Sequence, residues 1–380
     1  MHTASTTLKA PRNGGIDALR AATTLLVVLH HTAITYGAIG GWFYKEIPTD
    51  RSVSSMLLVF FCTLNQAWFM GLFFLLAGYF TPAALRAKGP WLYLRDRLVR
   101  LGIPLLLFGF VLGPITIALA QTARGKPFVD TLLGLWRRGE FEKGPLWFAW
   151  ALLLFALAAV LWQSIAQRSE APAASNRAFP SNRSLLLAAA ATGVAAFLLR
   201  LLWPVGREVW GLQLGYFASY VVLFVAGCAA AAPRWLEAWP SVQVRTWRRI
   251  AWIALPVLPV VALLGGPLLG LRGRPEGGWN VPALVYAVWE PLIAWGVILG
   301  LLQRFQRRFE VLGPVWQRLA RRAFAIYVIH PVVVVGVALA WRDVPAPALL
   351  KFVVSGGLSC VLCYLLAGAL LQVPGVKRVL

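Results

Sequence analysis

Carboxylates are scarce in this sequence: 380 residues carry 14 Asp and Glu against 36 Lys and Arg. Charged residues of both signs make up only 13% of the chain, 59% is hydrophobic, and mean hydropathy is +0.70. So few polar side chains leave a soluble domain unable to cover its surface, and the composition excludes one. The net charge of +22 would suggest nucleic acid in a soluble chain. Here, however, Lys and Arg fall between apolar runs, where they set orientation and hold lipid headgroups, so the expected partner is the lipid bilayer and not nucleic acid. Histidine and cysteine are also few, four of each. Cys360 and Cys363 form a C-x2-C, but no histidine or second cysteine pair accompanies them, so no metal site is expected.

What is present is a series of apolar runs of membrane-crossing length. Runs of about 20 residues lie near 16–38, 55–80, 98–120, 146–166, 184–204, 213–232, 248–270, 281–302, 320–341 and 349–371. They predict an all-α polytopic membrane protein of about ten transmembrane helices. Lys9 and Arg12 precede the first run as in a signal peptide, but the run is long and lacks an evident small-residue cleavage site, so it reads as retained. Sorting Lys and Arg into alternating connections gives 22 on the N-terminal side and 12 on the other, with Arg20 and Arg200 inside spans. By the positive-inside rule both termini are expected in the cytoplasm of a multi-pass inner-membrane protein. The expected organisation is a cytoplasmic segment 1–15, one transmembrane domain 16–372 and a cytoplasmic tail 373–380. A Ser-, Ala-, Pro- and Asn-bearing linker falls near 167–184.

A few ionisable groups sit within the apolar runs, which is costly in hydrocarbon. Arg20 and His31 are eleven residues apart, close to three helical turns, so they share one face about 16 Å apart. His31, Glu290 and His330 are all expected near mid-depth. Glu290 and His330 each precede a proline, which kinks a helix and frees a carbonyl one turn earlier. Irregular backbone at that depth is tolerated only against protein or water, so a polar chamber is expected. An imidazole facing it can take and return a proton near neutrality, as a general base would. Glu290 can equally be an interhelical partner of a histidine. Arg97 and Arg100, in Arg95-Asp-Arg-Leu-Val-Arg100, share a face that suits phosphates, though topology anchors look the same. The charged connection 121–145 could meet a polar acceptor or be a plain solvated loop.

These residues together resemble the acyltransferase-3 family of integral-membrane O-acyltransferases, particularly the branch with glucan succinyltransferases. The resemblance is carried in order by Arg20 with His31, Met70-Gly-Leu-Phe-Phe-Leu-Leu-Ala-Gly-Tyr-Phe80, Arg97-Leu-Val-Arg100, Pro145-Leu-Trp-Phe148 and Tyr327-Val-Ile-His-Pro331. It implies transfer of a short acyl group, acetyl or succinyl, from acyl-CoA as donor substrate to a hydroxyl of a cell-envelope carbohydrate or related acceptor, with no permanently bound cofactor. It further implies that His31 is the catalytic histidine and Arg20 its motif partner. Arg97 and Arg100 would meet the nucleotide end of coenzyme A, and Trp147, Tyr327 and His330 would form the wall of the site. Many members carry an acid shortly before Y-x-x-H, where this chain reads Arg321-Arg-Ala-Phe324; Glu290 is the carboxylate we expect to replace it. A proton-coupled carrier using Glu290 and the histidines is the alternative, and no internal repeat supports it.

Overall fold

The computed structural model describes residues 13–166, 177–237 and 239–380. Residues 1–12 of the expected N-terminal segment and 167–176 of the expected linker lie outside the described residues. The described chain is helical throughout, in the order α1 (Gly14–Thr35), α2 (Val53–Arg97), α3 (Ile103–Leu107), α4 (Gly113–Thr122), α5 (Phe128–Arg137), α6 (Trp147–Ala166), α7 (Asn182–Leu202), α8 (Phe217–Ala231), α9 (Ser241–Ala254), α10 (Val257–Leu269), α11 (Val281–Arg308), α12 (Pro314–Ala340), α13 (Ala348–Leu370) and α14 (Val376–Val379).

Among the described residues nine helical stretches are long and apolar enough to span a bilayer. One of them, Val53–Thr122, runs 70 residues, roughly 105 Å if straight and so more than three hydrocarbon thicknesses. It bends at Gly89, whose φ of 73° is left-handed and is followed by Pro90, a residue that cannot continue the hydrogen-bond ladder. The predicted spans 55–80 and 98–120 lie on either side of this bend, so the ten predicted runs and the nine stretches describe one arrangement. Past α2 the helix loosens into wide turns at Leu98–Gly102 and Phe108–Leu112. Pro114 leaves the Phe110 carbonyl, four residues earlier, without its helical donor, and Trp136 Nε1 on α5 takes it at 2.8 Å. The connection 121–145 therefore carries a helix where a loop was expected.

α1 packs against α2, α11, α12 and α13 and is the central element around which the site is built. It starts at Asn13, whose side chain accepts the Ile16 N–H at 3.2 Å. α2 and α8 cross with their backbones in contact: a Cβ at Gly78 would stand 2.1 Å from the Phe224 carbonyl oxygen, and one at Gly227 the same 2.1 Å from that of Leu75. Close approach of this kind is how helices associate in lipid, where apolar burial against apolar tails gives no drive. Gly227→Leu should therefore cost about 1–3 kcal/mol by overpacking and lower the thermal midpoint of the detergent-solubilised protein. Gly357→Ala, which meets nothing within 4 Å and lies inside α13, should not lower it and should raise it slightly by helix propensity; equal midpoints for both variants would contradict the crossing.

Candidate active site

α1 ends at Thr35, four residues beyond His31, whereas α12 runs ten residues beyond His330. The connection 36–52 fills the resulting step and folds back over the helix ends. Several polar contacts hold it there. Glu46 N–H donates to the Thr35 carbonyl at 2.9 Å, Glu46 pairs with buried Lys351 of α13, and the Tyr36 hydroxyl lies 2.8 Å from Ser355 Oγ, also on α13. So fixed, the connection lays the Trp42 indole flat on the His31 ring, with centroids 4.2 Å apart and planes 15° from parallel.

His31 meets His330 at its edge. Because Pro331 has no N–H, the carbonyl of Tyr327, four residues before it, has no helical donor. His330 Nδ1 lies 2.6 Å from that oxygen. A carbonyl can only accept, so Nδ1 carries the proton and the neutral ring presents a bare Nε2. His31 Nδ1 lies 3.0 Å from this Nε2 and must donate to it. Two adjacent imidazolium ions in an apolar bundle would repel, so the pair carries at most one charge, and with His31 neutral the lone pair left over is on its Nε2.

His31 lines a cavity of about 1200 Å³. Its walls also include His30, Gln66, Trp147, Tyr216, Tyr220, Tyr286 and Tyr327. Trp147 stacks on Tyr220 with centroids 5.8 Å apart, Gln66 donates to the Tyr220 hydroxyl at 2.9 Å, and Tyr327 donates its hydroxyl to the Pro145 carbonyl. Stretches of the connections 36–52, 141–145, 205–213 and 275–276 form the mouth, so the cavity opens on the side opposite the N-terminus. Four carboxylates, Asp50, Glu142, Glu208 and Glu276, line it with one ammonium, Lys143. Burial pushes the Glu142 carboxyl above its ordinary range, opposed by the Gly144 N–H it accepts, while donation from Ser52 holds Asp50 below its own.

The expected site residues separate into three places. His31, Trp147 and Tyr327 line the cavity, and His330 is fully buried directly behind His31. Glu290 does not meet a histidine. It is sealed, 1% exposed, in an ion pair with Arg200 of α7, which is 0% exposed. Arg200 Nε donates to the Gly215 carbonyl at 2.9 Å, and its guanidinium lies 5.4 Å from the Tyr216 ring centre and 4.7 Å from that of Tyr286. The pair therefore backs the tyrosine wall and does not reach into the chamber. Arg20, Arg97 and Arg100 are not in the lining. Arg20 is exposed three turns from His31 and pairs with Asp17 at 3.1 Å. Arg97 stacks over Tyr93 at 5.1 Å, and Arg100 is exposed on the N-terminal side.

His30, Trp42 and the tyrosines of the far wall share no spacing signal that marks them in the sequence. The sequence did contain a clue to Arg200: an intramembrane cation and an intramembrane carboxylate must each find a partner.

No curated protein and no solved structure matches the chain. A family profile does: the acyltransferase domain of the acyltransferase-3 type matches residues 13–368. That match takes in every span together with the cavity they enclose, so the chain belongs to the acyltransferase-3 family and is a membrane acyltransferase.

Proposed function

We propose that the protein is an O-acyltransferase of the cell's inner membrane that moves a short acyl group, acetyl or succinyl, from acyl-CoA to a hydroxyl of a cell-envelope carbohydrate. The observation that carries this reading is the position of His31: an imidazole on the wall of the large cavity, with Nδ1 engaged by His330, which leaves Nε2 to act as the base.

The cavity's chemistry suits a sugar. Aromatic faces at Trp147, Tyr216, Tyr220 and Tyr286 offer apolar stacking area, and amides and hydroxyls such as Gln66 offer hydrogen bonds at fixed positions. Its acidic rim repels polyanions, which argues that coenzyme A does not come through this mouth. The donor is instead assigned to the N-terminal side, where the guanidinium groups of Arg97 and Arg100 suit its phosphates and the pantetheine arm would reach inward between helices. In the reaction His31 Nε2 takes the acceptor hydroxyl's proton as its oxygen bonds to the thioester carbonyl carbon. The C–S bond then breaks, and the departing thiolate recovers the proton from His31, giving an acyl ester and free coenzyme A. Family membership gives no support to the proton-coupled carrier.

Purified protein in lipid nanodiscs, given acetyl-CoA or succinyl-CoA and a glucan oligosaccharide, should release coenzyme A thiol only with acceptor present. His31→Ala should lower kcat by about 10²- to 10⁴-fold, the usual worth of a general base, with its thermal midpoint retained; wild-type turnover in that variant would end the proposal. Joint replacement of Arg97 and Arg100 by Ala should raise the donor KM about tenfold or more, as loss of charge-assisted contacts implies, with kcat little changed. An unaltered donor KM would remove them from the donor site.

A further inference from the structure

We infer that His330 is a positioning residue for His31: it accepts the Nδ1–H of the base and so fixes both the tautomer and the tilt of the ring that works in the cavity. The inference rests on the base role proposed for His31 and goes beyond it, because it assigns to a side chain with 0% exposure, out of reach of substrate, control over which nitrogen of His31 does chemistry.

A pair of imidazoles that merely joined α1 to α12 could hydrogen-bond in either sense, since each neutral ring has one donor and one acceptor. Here the sense is set from outside the pair. The Tyr327 carbonyl, released from the helix by Pro331, can only accept, and it lies 2.6 Å from His330 Nδ1. That fixes His330 as acceptor at Nε2, which lies 3.0 Å from His31 Nδ1. The free lone pair is therefore on His31 Nε2 and not on Nδ1. Orientation is fixed as well, because Trp42 covers one face of His31 at 4.2 Å and 15° while His330 holds its edge through the hydrogen bond. In many hydrolases a carboxylate takes the accepting role opposite the imidazole; a second neutral imidazole does so here without adding a charge to the bilayer interior. The titratable neighbours are His30 on α1, Tyr327 on α12 and Cys62 on α2, whose thiol donates to the His30 carbonyl at 3.6 Å. Among the described residues no Asp, Glu, Lys or Arg pairs with either imidazole.

The test compares three replacements of His330 in full-length protein in nanodiscs, assayed by thiol release from acetyl-CoA or succinyl-CoA with the glucan oligosaccharide across pH. His330→Leu keeps the volume and removes the acceptor; kcat should fall by about 100-fold or more, the scale seen when a catalytic imidazole loses its orienting partner, with donor KM unchanged within about threefold. His330→Gln places an amide oxygen near the lost Nε2 and should recover about tenfold of that loss, as one restored hydrogen bond implies. His330→Glu places a carboxylate there, which favours the imidazolium form of His31, so the acid limb of the kcat profile should move to higher pH by about one unit. A Leu variant with wild-type kcat, a Gln variant no better than Leu, or an unmoved acid limb in the Glu variant would each overturn the inference. Should the Leu protein not fold, the Gln and Glu profiles decide alone. If His31→Ala is also fully active, the base reading itself fails; if His31→Ala is dead while His330→Leu is fully active, only the positioning role fails.

Discussion

The site turns on one hydrogen bond between two imidazole rings, His31 on α1 and His330 on α12. It joins helices that are far apart in sequence, and its direction is inherited from a backbone defect. Pro331 cannot complete the ladder, a carbonyl is left over, and that carbonyl dictates the protonation pattern of two side chains in succession. The same device occurs at Pro114, where the released Phe110 carbonyl is taken by Trp136. In a bilayer interior, where water is not on hand to satisfy stray backbone groups, a proline-released carbonyl acts as a placed acceptor.

Charge is managed with similar economy. Two buried ion pairs flank the chamber without entering it. Arg200 with Glu290 stands behind the tyrosine wall, and Lys351 with Glu46 anchors the connection that carries Trp42. Removing one partner of such a pair would strand the other in a medium that cannot solvate it, so each is a strong constraint on geometry even where its net contribution to stability is small. Between the two pairs the cavity keeps an uncharged interior of imidazole, indole, phenol and amide groups, and its acids sit at the rim. A neutral hydroxylic acceptor can occupy such a space, and a proton can move within it without being competed for by a fixed charge.

The spans were legible in the sequence because bilayer thickness imposes a length that apolar runs must meet, and the runs of this chain are clearly bounded by basic connections. The bend at Gly89 was readable as a gap between two runs, though not as a helix interrupted at a single non-helical glycine. His31 and His330 were each legible as polar groups at depth, and their neighbouring prolines as irregularities. Their mutual contact was not, because the register between two helices nearly 300 positions apart is set by packing that one sequence does not display. The spacing of Arg20 and His31 suggested one shared face, but three turns of helix keep the two side chains at opposite ends of α1, and Arg20 finds Asp17 instead. Glu290 was read as a carboxylate for the site; Arg200, near the end of α7, claims it. Trp42 lies in a connection with no periodicity to mark it, and only the folding back of residues 36–52 brings it to His31.

The central claim is that the neutral base presents Nε2, and not Nδ1, to the cavity. Nitrogen-15 spectra of histidine-labelled protein in nanodiscs, with the His31 signals identified by their loss in His31→Ala, report that directly. The account predicts that at neutral pH the His31 ring has a protonated Nδ1 and a bare Nε2. A ring protonated at Nε2, or an imidazolium at that pH, would contradict it.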